Sequence, residues 1–171
     1  PLARLNASDG MATPRAQKEY ERMFDTFGGK PVHNTLGFHW ARLIESIYAA
    51  ERIQELLDDS SITDKNIRNI PTSIPDEGVG VVEAPRGTLI HHYKTDERGL
   101  ITMANLIVAT VNNSAALSLS VAKAADGLIK DGEVSDGLLN MVEMAFRAYD
   151  PCLACATHSL PGETPLIINI H

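Results

Sequence analysis

The feature that most constrains the fold is an amphipathic pattern that runs directly into a proline and then into a pair of cysteines. In "SDGLLNMVEMAFRAYDPCLACATH", residues 135–158, the apolar side chains recur at three- and four-residue spacing, which predicts a helix. Pro151 ends this helix, because proline cannot continue the backbone hydrogen bonding. Cys152 and Cys155 follow at once and are the only cysteines of the chain. Both thiols therefore lie just beyond the end of a helix.

A C-x-x-C spacing can direct both sulfurs at one metal, or it can close a redox disulfide. A structural zinc site needs four ligands, and His158 is the nearest nitrogen ligand to this single pair. A thioredoxin-like pair is expected between a strand and a helix near the start of the fold, whereas this pair follows a helix and lies late in the sequence. Thiolates select soft metals, so nickel, iron, copper and zinc all remain open. Two buried structural cysteines are the simpler alternative.

The rest of the chain predicts a mixed α and β protein in which helices dominate. Leu36, Trp40, Leu43 with its neighbour Ile44, and Ile47 fall at the spacing of one buried stripe on a long helix. β-branched residues on either side of "TDERG" predict a hairpin. The predicted elements are helices at 14–27, 34–58, 112–129 and 135–149, a strand at 79–85, the hairpin strands around 95–99, and a strand in "PLIINI" near the end.

Composition narrows the functional class. The 171 residues are enough for one globular domain, and a net charge of −7 argues against a nucleic-acid role, which usually needs a basic surface. No apolar run has the length of a membrane span, and no secretory signal pattern occurs. Two cysteines in one motif are not a disulfide framework, which favours a reducing compartment. The opening "PLARLNASDG" lacks an initiator Met, so we expect the chain to be cut at this end.

A second motif is "EAPRGTLIHHY", residues 83–93. Proline and glycine flank Arg86, so its rigid guanidinium could be aimed into a pocket, although a surface arginine in a tight turn is an equal alternative. His91 and His92 would point to opposite faces of a strand and could not easily share a metal. The hydroxyls and amides of "ATVNNS", residues 109–114, stand at the start of a helix, where capping explains them.

Three of these segments, "EAPRG", "ATVNN" and "DPCLACATH", resemble in this order the large subunit of [NiFe] hydrogenases. The resemblance covers roughly residues 30–170 and only the C-terminal part of a family member. It implies an α+β, predominantly helical fold that is the C-terminal part of the large-subunit fold. "GFHWARLIE" and "RGTLIHHY" are most similar to the cytoplasmic branch, whose members couple hydrogen to NAD, coenzyme F420 or a heterodisulfide reductase.

The resemblance also implies a set of metal ligands. Cys152 would be a terminal thiolate on nickel, and Cys155 would bridge nickel and iron. The iron would carry carbon monoxide and cyanide. His158 would contribute to a nearby magnesium or iron site.

The residues around the metals follow from the same resemblance. Arg86 would lie over the Ni-Fe centre, and Asp150 would be a carboxylate that orients it. Pro85 and Thr110 would line the pocket of the diatomic ligands, with the hydroxyl of Thr110 bonded to cyanide. A carboxylate paired with an arginine that never loses its charge is suited to such an orienting role.

The implied activity is reversible oxidation of H2 to protons and electrons at the Ni-Fe centre. The implied partners are a small subunit with iron–sulfur clusters, an electron-acceptor subunit of the flavin or heterodisulfide-reductase type, and a maturation endopeptidase, all in the cytoplasm. Family members bind the centre with four cysteines, and the second pair does not occur in this sequence. We therefore expect this chain to be inactive alone, and we interpret residues 159–171 as a maturation peptide.

Two other functions stay open. The chain could be a non-catalytic assembly or electron-transfer subunit that retains the hydrogenase-like fold, since relatives in respiratory complex I have lost the metal-binding cysteines. It could also be a separate zinc or thiol-redox module. Because Cys152 and Cys155 are both present, the enzyme part is the favoured interpretation.

Overall fold

A computed structural model describes residues 1–156, in which helices dominate and a single sheet is inserted between them. The α+β, predominantly helical class predicted from the sequence is confirmed. The tail predicted as a strand and a maturation peptide, and His158, lie outside the described residues. In chain order the elements are α1 Leu2–Ala7, α2 Pro14–Phe27, α3 Gly37–Leu57, a 3-10 turn Ser60–Thr63, β1 Glu77–Ala84, β2 Gly87–Thr95, β3 Ile101–Ile107, α4 Ala109–Leu128, α5 Asp136–Arg147 and α6 Leu153–Ala156.

The ends of α2 agree with its sequence signals. Pro14 occupies the first turn, where a helix does not need the missing backbone N–H. Gly28 ends the helix in the left-handed conformation, with φ of 82°, which glycine adopts without steric cost. The N-terminal amides of Arg15 and Ala16 each donate to the carboxylate of Glu51 over 3.1 Å. A carboxylate from α3 thus caps α2 and joins the two helices.

The main apolar core lies between α1, α2 and α3, and it corrects the predicted stripe on α3. Ala41 and Ile44 are completely buried, whereas Leu43 is 63% exposed and Leu36 is 53% exposed. Of the predicted stripe, Ile44 is buried as expected, whereas Leu36 and Leu43 were placed wrongly, because a step of one residue turns the helix face by about 100°. Trp40 and Ile47 pack at the edge of the core. The buried apolar side chains are Leu2, Leu5, Ala16, Tyr20, Met23, Phe24, Val32, Ala41 and Ile44.

The sheet is antiparallel with the strand order β1-β2-β3. A tight turn of Pro85 and Arg86 joins β1 to β2, and the flanking Ala84 and Gly87 are paired. The second turn is closed by the Asp96 carboxylate, which accepts from the amides of Arg98 and Leu100, each over 2.9 Å. The hairpin predicted around "TDERG" is therefore confirmed. Arg86, in the β1–β2 turn, lies at the opposite end of β2 from this second turn.

Helices α4 and α5 pack against each other beyond the sheet. At the C-terminal end of α5, the ring of Tyr149 contacts Phe38 edge-on with centroids 5.0 Å apart. The Tyr149 hydroxyl also lies 2.8 Å from the hydroxyl of Ser120 on α4. These contacts fix the segment that leads into the cysteines. Among the described helices, none is long and apolar enough to cross a membrane.

The burial of Ile44 beside the exposed Leu43 generates a stability prediction. Ile44→Ala should lower the free energy of unfolding of this chain by about 2–5 kcal/mol, because it opens a cavity at a completely buried position. Leu43→Ala, on the neighbouring and mostly exposed position, should change it by less than about 0.5 kcal/mol. Urea unfolding of the two variants measures the difference. Equal losses would mean that the buried face of α3 has been assigned wrongly.

Candidate metal site

The site is built where two segments that are distant in sequence meet. One is the turn that carries Arg86, and the other is the segment from Asp150 to Cys155 that follows α5. The Arg86 Nε lies 3.1 Å from Oδ2 of Asp150, and the same Nε donates to the backbone carbonyl of Asp150. The fold thus brings Arg86 and Asp150 together across 64 positions of sequence.

The turn that carries Arg86 is held by the first turns of α4. Asn113 donates from Nδ2 to the carbonyl of Arg86 over 2.7 Å, and Asn112 donates to the carbonyl of Thr88 over 3.2 Å. Gly87 has a φ of +133°, and a Cβ there would lie 3.6 Å from the Cβ of Ala109. The turn therefore packs closely against the helix and needs glycine for its backbone conformation.

These contacts correct the interpretation of "ATVNNS" as a cap. Helix α4 already begins at Ala109, and its N-cap residue Val108 makes no side-chain cap bond. Asn113 instead satisfies a carbonyl in another element. Sequence reasoning missed this role because a capping amide and a tertiary amide have the same local signature.

Asp150 directs the chain from the end of α5 toward α4. It has a φ of +51°, a left-handed conformation that aspartate tolerates better than most residues. Pro151 disfavours a right-handed helical conformation at the residue before it. Beyond this bend, the amide of Cys152 donates to Oγ1 of Thr110 over 3.3 Å, and Thr110 is only 4% exposed. Thr110 therefore sits beneath the start of the cysteine segment.

The two cysteines are joined by a disulfide, with their Cα atoms 5.2 Å apart. The amide of Cys155 also donates to the carbonyl of Cys152 over 3.2 Å. Both side chains thus point to one place, which is what two ligands of a single metal centre require. Reduced to thiolates, they form the kind of donor pair that soft transition metals prefer.

The donor pair is a partial site within the described part of the chain. Residues 1–156 contain no group of three or more His, Cys, Asp or Glu placed to hold a metal ion. Of the other predicted site residues, Thr110 is buried next to Cys152, and Pro85 precedes Arg86 in the turn and is exposed. The residues fit two thiolate ligands with an arginine–aspartate pair beside them.

The adjacent histidines lie on opposite faces of β2, as predicted. His91 contacts the hydroxyl of Tyr93 over 2.9 Å, whereas Nε2 of His92 lies 2.6 Å from Oε1 of Glu77. The hydrogen bond to His92, assisted by the charge of Lys94, holds the pKa of the Glu77 carboxyl below its usual value. Neither imidazole joins the cysteine segment in these contacts, so the histidine pair is not a shared metal site.

Comparison with known proteins matches residues 1–158 to the family model for nickel-dependent hydrogenases. The chain is 50% identical over 172 residues to an F420-non-reducing hydrogenase iron-sulfur subunit of Archaeoglobus profundus, covering 100% of this chain and 35% of that protein. It is 53% identical over 173 residues to a vhc-type F420-non-reducing hydrogenase subunit of Methanococcus voltae, covering 99% of this chain and 36% of that protein.

A solved structure agrees with these relatives. The crystal structure of an NAD+-reducing [NiFe]-hydrogenase in the H2-reduced state superposes with a TM-score of 0.85 and 46% sequence identity, covering 92% of this chain and 35% of that chain. The chain therefore spans about a third of the length of the relatives that it matches.

The contact between Thr110 and the cysteine segment can be tested by substitution. Thr110→Val removes the acceptor of the Cys152 amide, so that amide should exchange with solvent faster, and the free energy of unfolding should fall by about 1–3 kcal/mol. Thr110→Ser keeps a hydroxyl and should exchange nearly as the wild type does. Amide hydrogen exchange of this chain measures both, and unchanged exchange at Cys152 in the valine variant would contradict the contact.

Proposed function

Because this chain belongs to the nickel-dependent hydrogenase family, we propose that it forms one side of the Ni-Fe centre of a hydrogenase large subunit. The proposed reaction is the reversible oxidation of H2 to protons and electrons. The observation that carries this proposal is the meeting of Arg86 and Asp150 at the start of the C-x-x-C segment. Local sequence does not require the turn with Arg86 and the cysteine segment to meet, whereas a shared functional site does.

In this proposal the reduced Cys152 and Cys155 hold the metals. The thiolates of Cys152 and Cys155 would both hold the nickel, and that of Cys155 would also hold the iron. When bound, the Ni-Fe centre, with carbon monoxide and cyanide on its iron, supplies the Lewis acidity and redox chemistry for H2 cleavage. A metal-bound thiolate stays deprotonated near neutral pH yet remains basic, so the Cys152 Sγ can accept a proton.

Arg86 supplies a permanent positive charge beside the thiolates. Arginine side chains stay charged in proteins, so we assign Arg86 an electrostatic role and not that of a proton donor. Asp150 contacts it through both a carboxylate oxygen and the backbone carbonyl, which restricts how the guanidinium can turn. The side chains are 39% and 42% exposed in this chain, so the contact matters for orientation more than for stability.

Thr110 and Pro85 are proposed to line the pocket of the diatomic ligands. The hydroxyl oxygen of Thr110 accepts from the Cys152 amide. Its proton can therefore be directed to another acceptor, and a cyanide nitrogen is the acceptor that the resemblance suggests. Pro85 adds an apolar ring with no backbone donor next to Arg86.

We propose the remaining components from the resemblance. They are the second cysteine pair in the rest of the large subunit, a small subunit with iron–sulfur clusters, a flavin- or heterodisulfide-reductase-type acceptor subunit, and a maturation endopeptidase. His158, outside the described residues, would contribute to a magnesium or iron site. The proposed compartment is the cytoplasm.

Metal analysis of the complete large subunit in its complex tests the proposal. We expect nickel and iron together, with infrared bands of carbonyl and cyanide. Zinc alone, or no metal in that complex, would instead support a non-catalytic subunit that retains the fold.

Arg86→Lys in the complete enzyme should keep both metals and lower H2 oxidation by roughly 100-fold or more. A lysine keeps the charge but lacks the guanidinium Nε that contacts Asp150, and removing one preorganised donor costs about 10²–10³ in turnover. Arg98→Lys, an exposed arginine in the β2–β3 turn, is the matched control and should change little. Metal content and H2-dependent dye reduction are the measurements, and wild-type turnover in the Arg86 variant would remove this residue from the mechanism.

Cys152→Ala should abolish nickel retention in the complete enzyme, because a terminal thiolate ligand is lost. The control is Ala154→Ser, a small change at the exposed position between the cysteines, which should keep the nickel. Elemental analysis of the purified complexes measures this. Full nickel occupancy in the alanine variant would show that Cys152 is not a ligand.

A further inference from the structure

We propose that Arg4 and Arg42 are positioning residues that hold the two segments carrying Arg86 and Asp150. Arg42 lies in "GFHWARLIE" and Arg4 in the opening "PLARLNASDG", but neither segment by itself assigns these residues a role at the site. The geometry of the contacts stands by itself, and its effect on turnover rests on the function proposed above.

Arg4 fixes the strand end that leads into Arg86. Its Nη1 donates to the carbonyl of Ala84 over 2.7 Å, and its Nη2 donates to the carbonyl of Pro85 over 2.8 Å. These are the two peptide carbonyls immediately before Arg86. One guanidinium on α1 therefore restrains the backbone from which the Arg86 side chain projects.

Arg4 is itself held by α3. Its Nε and Nη2 contact the two carboxylate oxygens of Glu45 over 2.7 and 2.8 Å, a bidentate pair. The hydrogen bond to Glu45 raises the pKa of Arg4 above its ordinary value, so the group stays charged. Glu83 adds a second carboxylate at 3.5 Å. With its side chain 21% exposed, Arg4 is better shielded from water than Arg86 is.

Arg42 acts on the other segment. Its Nη2 donates to the carbonyl of Ala148 over 2.8 Å. Ala148 is completely buried at the C-terminal end of α5, two residues before Asp150. The last carbonyls of a helix lack partners within the helix and carry partial negative charge, so a guanidinium is a favourable donor there.

Both arginines are connected to one turn of α3, since Arg42 is part of that helix and Arg4 is bonded to its Glu45. Arg42 and Glu45 are three residues apart, so they lie next to each other on the helix surface. Arg42 contacts the end of α5, two residues before the cysteine-bearing segment begins, and Glu45 contacts the Arg86 turn through Arg4. One helix thus sets the separation of the two segments, whereas the half-exposed contact between Arg86 and Asp150 is too weak to do so alone.

A purely structural role for Arg4 would be to join α1 to α3. That joint already has an apolar core, in which Leu2 and Leu5 pack with Ala41 and Ile44. The two hydrogen bonds to Ala84 and Pro85 do not stabilise the packing of α1 on α3, because their acceptors are the carbonyls just before Arg86. The choice of a fork-shaped donor set, which satisfies one carboxylate and two carbonyls at once, also favours positioning.

The test uses the complete large subunit in its complex, with Arg4→Gln, Glu45→Gln and Arg42→Gln. Each should retain nickel and iron and lower kcat by about 10- to 100-fold, the loss typical of residues that orient a metal site from outside it, with a smaller change in KM. Arg52→Gln, on the same helix and in a local ion pair with Glu55, is the matched control and should keep wild-type kcat.

The decisive readout is amide hydrogen exchange. Arg4→Gln and Glu45→Gln should speed exchange in residues 84–88, and Arg42→Gln should speed it in residues 148–152, each without affecting the other segment. In an Arg86→Lys background, Arg4→Gln should lower kcat little further, since both changes act through one side chain. Unchanged exchange in residues 84–88 in Arg4→Gln, or fully additive losses of kcat, would overturn the proposal. An Arg86→Lys variant with wild-type turnover would instead overturn the proposed function and leave the exchange result standing.

Discussion

The contact between Arg86 and Asp150 is the constraint on which the site depends. It joins a turn between two strands to a bend after a helix, across 64 positions of sequence. Each segment is shaped locally, by Gly87 on one side and by Asp150 and Pro151 on the other. Only when both shapes are correct does the guanidinium meet Asp150, two residues before Cys152. The interaction contributes little to the free energy of folding, but it can form only when the fold places both segments correctly.

Helix α3 satisfies most of that requirement. Its buried face packs in the core with α1 and α2, and Glu51 near its C-terminal end caps α2. Its polar residue Glu45 contacts Arg4, which donates to the carbonyls before Arg86, and its Arg42 donates to the carbonyl of Ala148. A single rigid element therefore connects the apolar core to a partly exposed polar site. The contacts to α3 explain how the backbone on both sides of the site is held in place although the side chains of Arg86 and Asp150 are half exposed.

Much of the secondary structure could be predicted because its signals are local. Pro14 and Gly28 mark the ends of α2, and "TDERG" marks the hairpin turn, through backbone geometry that each residue carries wherever it stands. The buried face of α3 could not be predicted in this way. Leu43 and Ile44 are both apolar, and only the placement of α1 and α2 decides which of them is buried. Asn113 was misinterpreted for a similar reason, since its partner is a carbonyl in another element.

By itself the sequence determined the family, the motif order, the C-x-x-C pair after a proline-terminated helix, and the arginine turn after a strand. Those properties depend on residue types and short spacings. The tertiary structure alone decided that Arg86 contacts Asp150, that Thr110 accepts from Cys152, and that Arg4 and Arg42 hold the two segments. These contacts join residues between 42 and 106 positions apart, and no local pattern encodes such a distance. They exist because α3 and α4 bring the segments to one place and leave their backbone carbonyls and amides in need of partners.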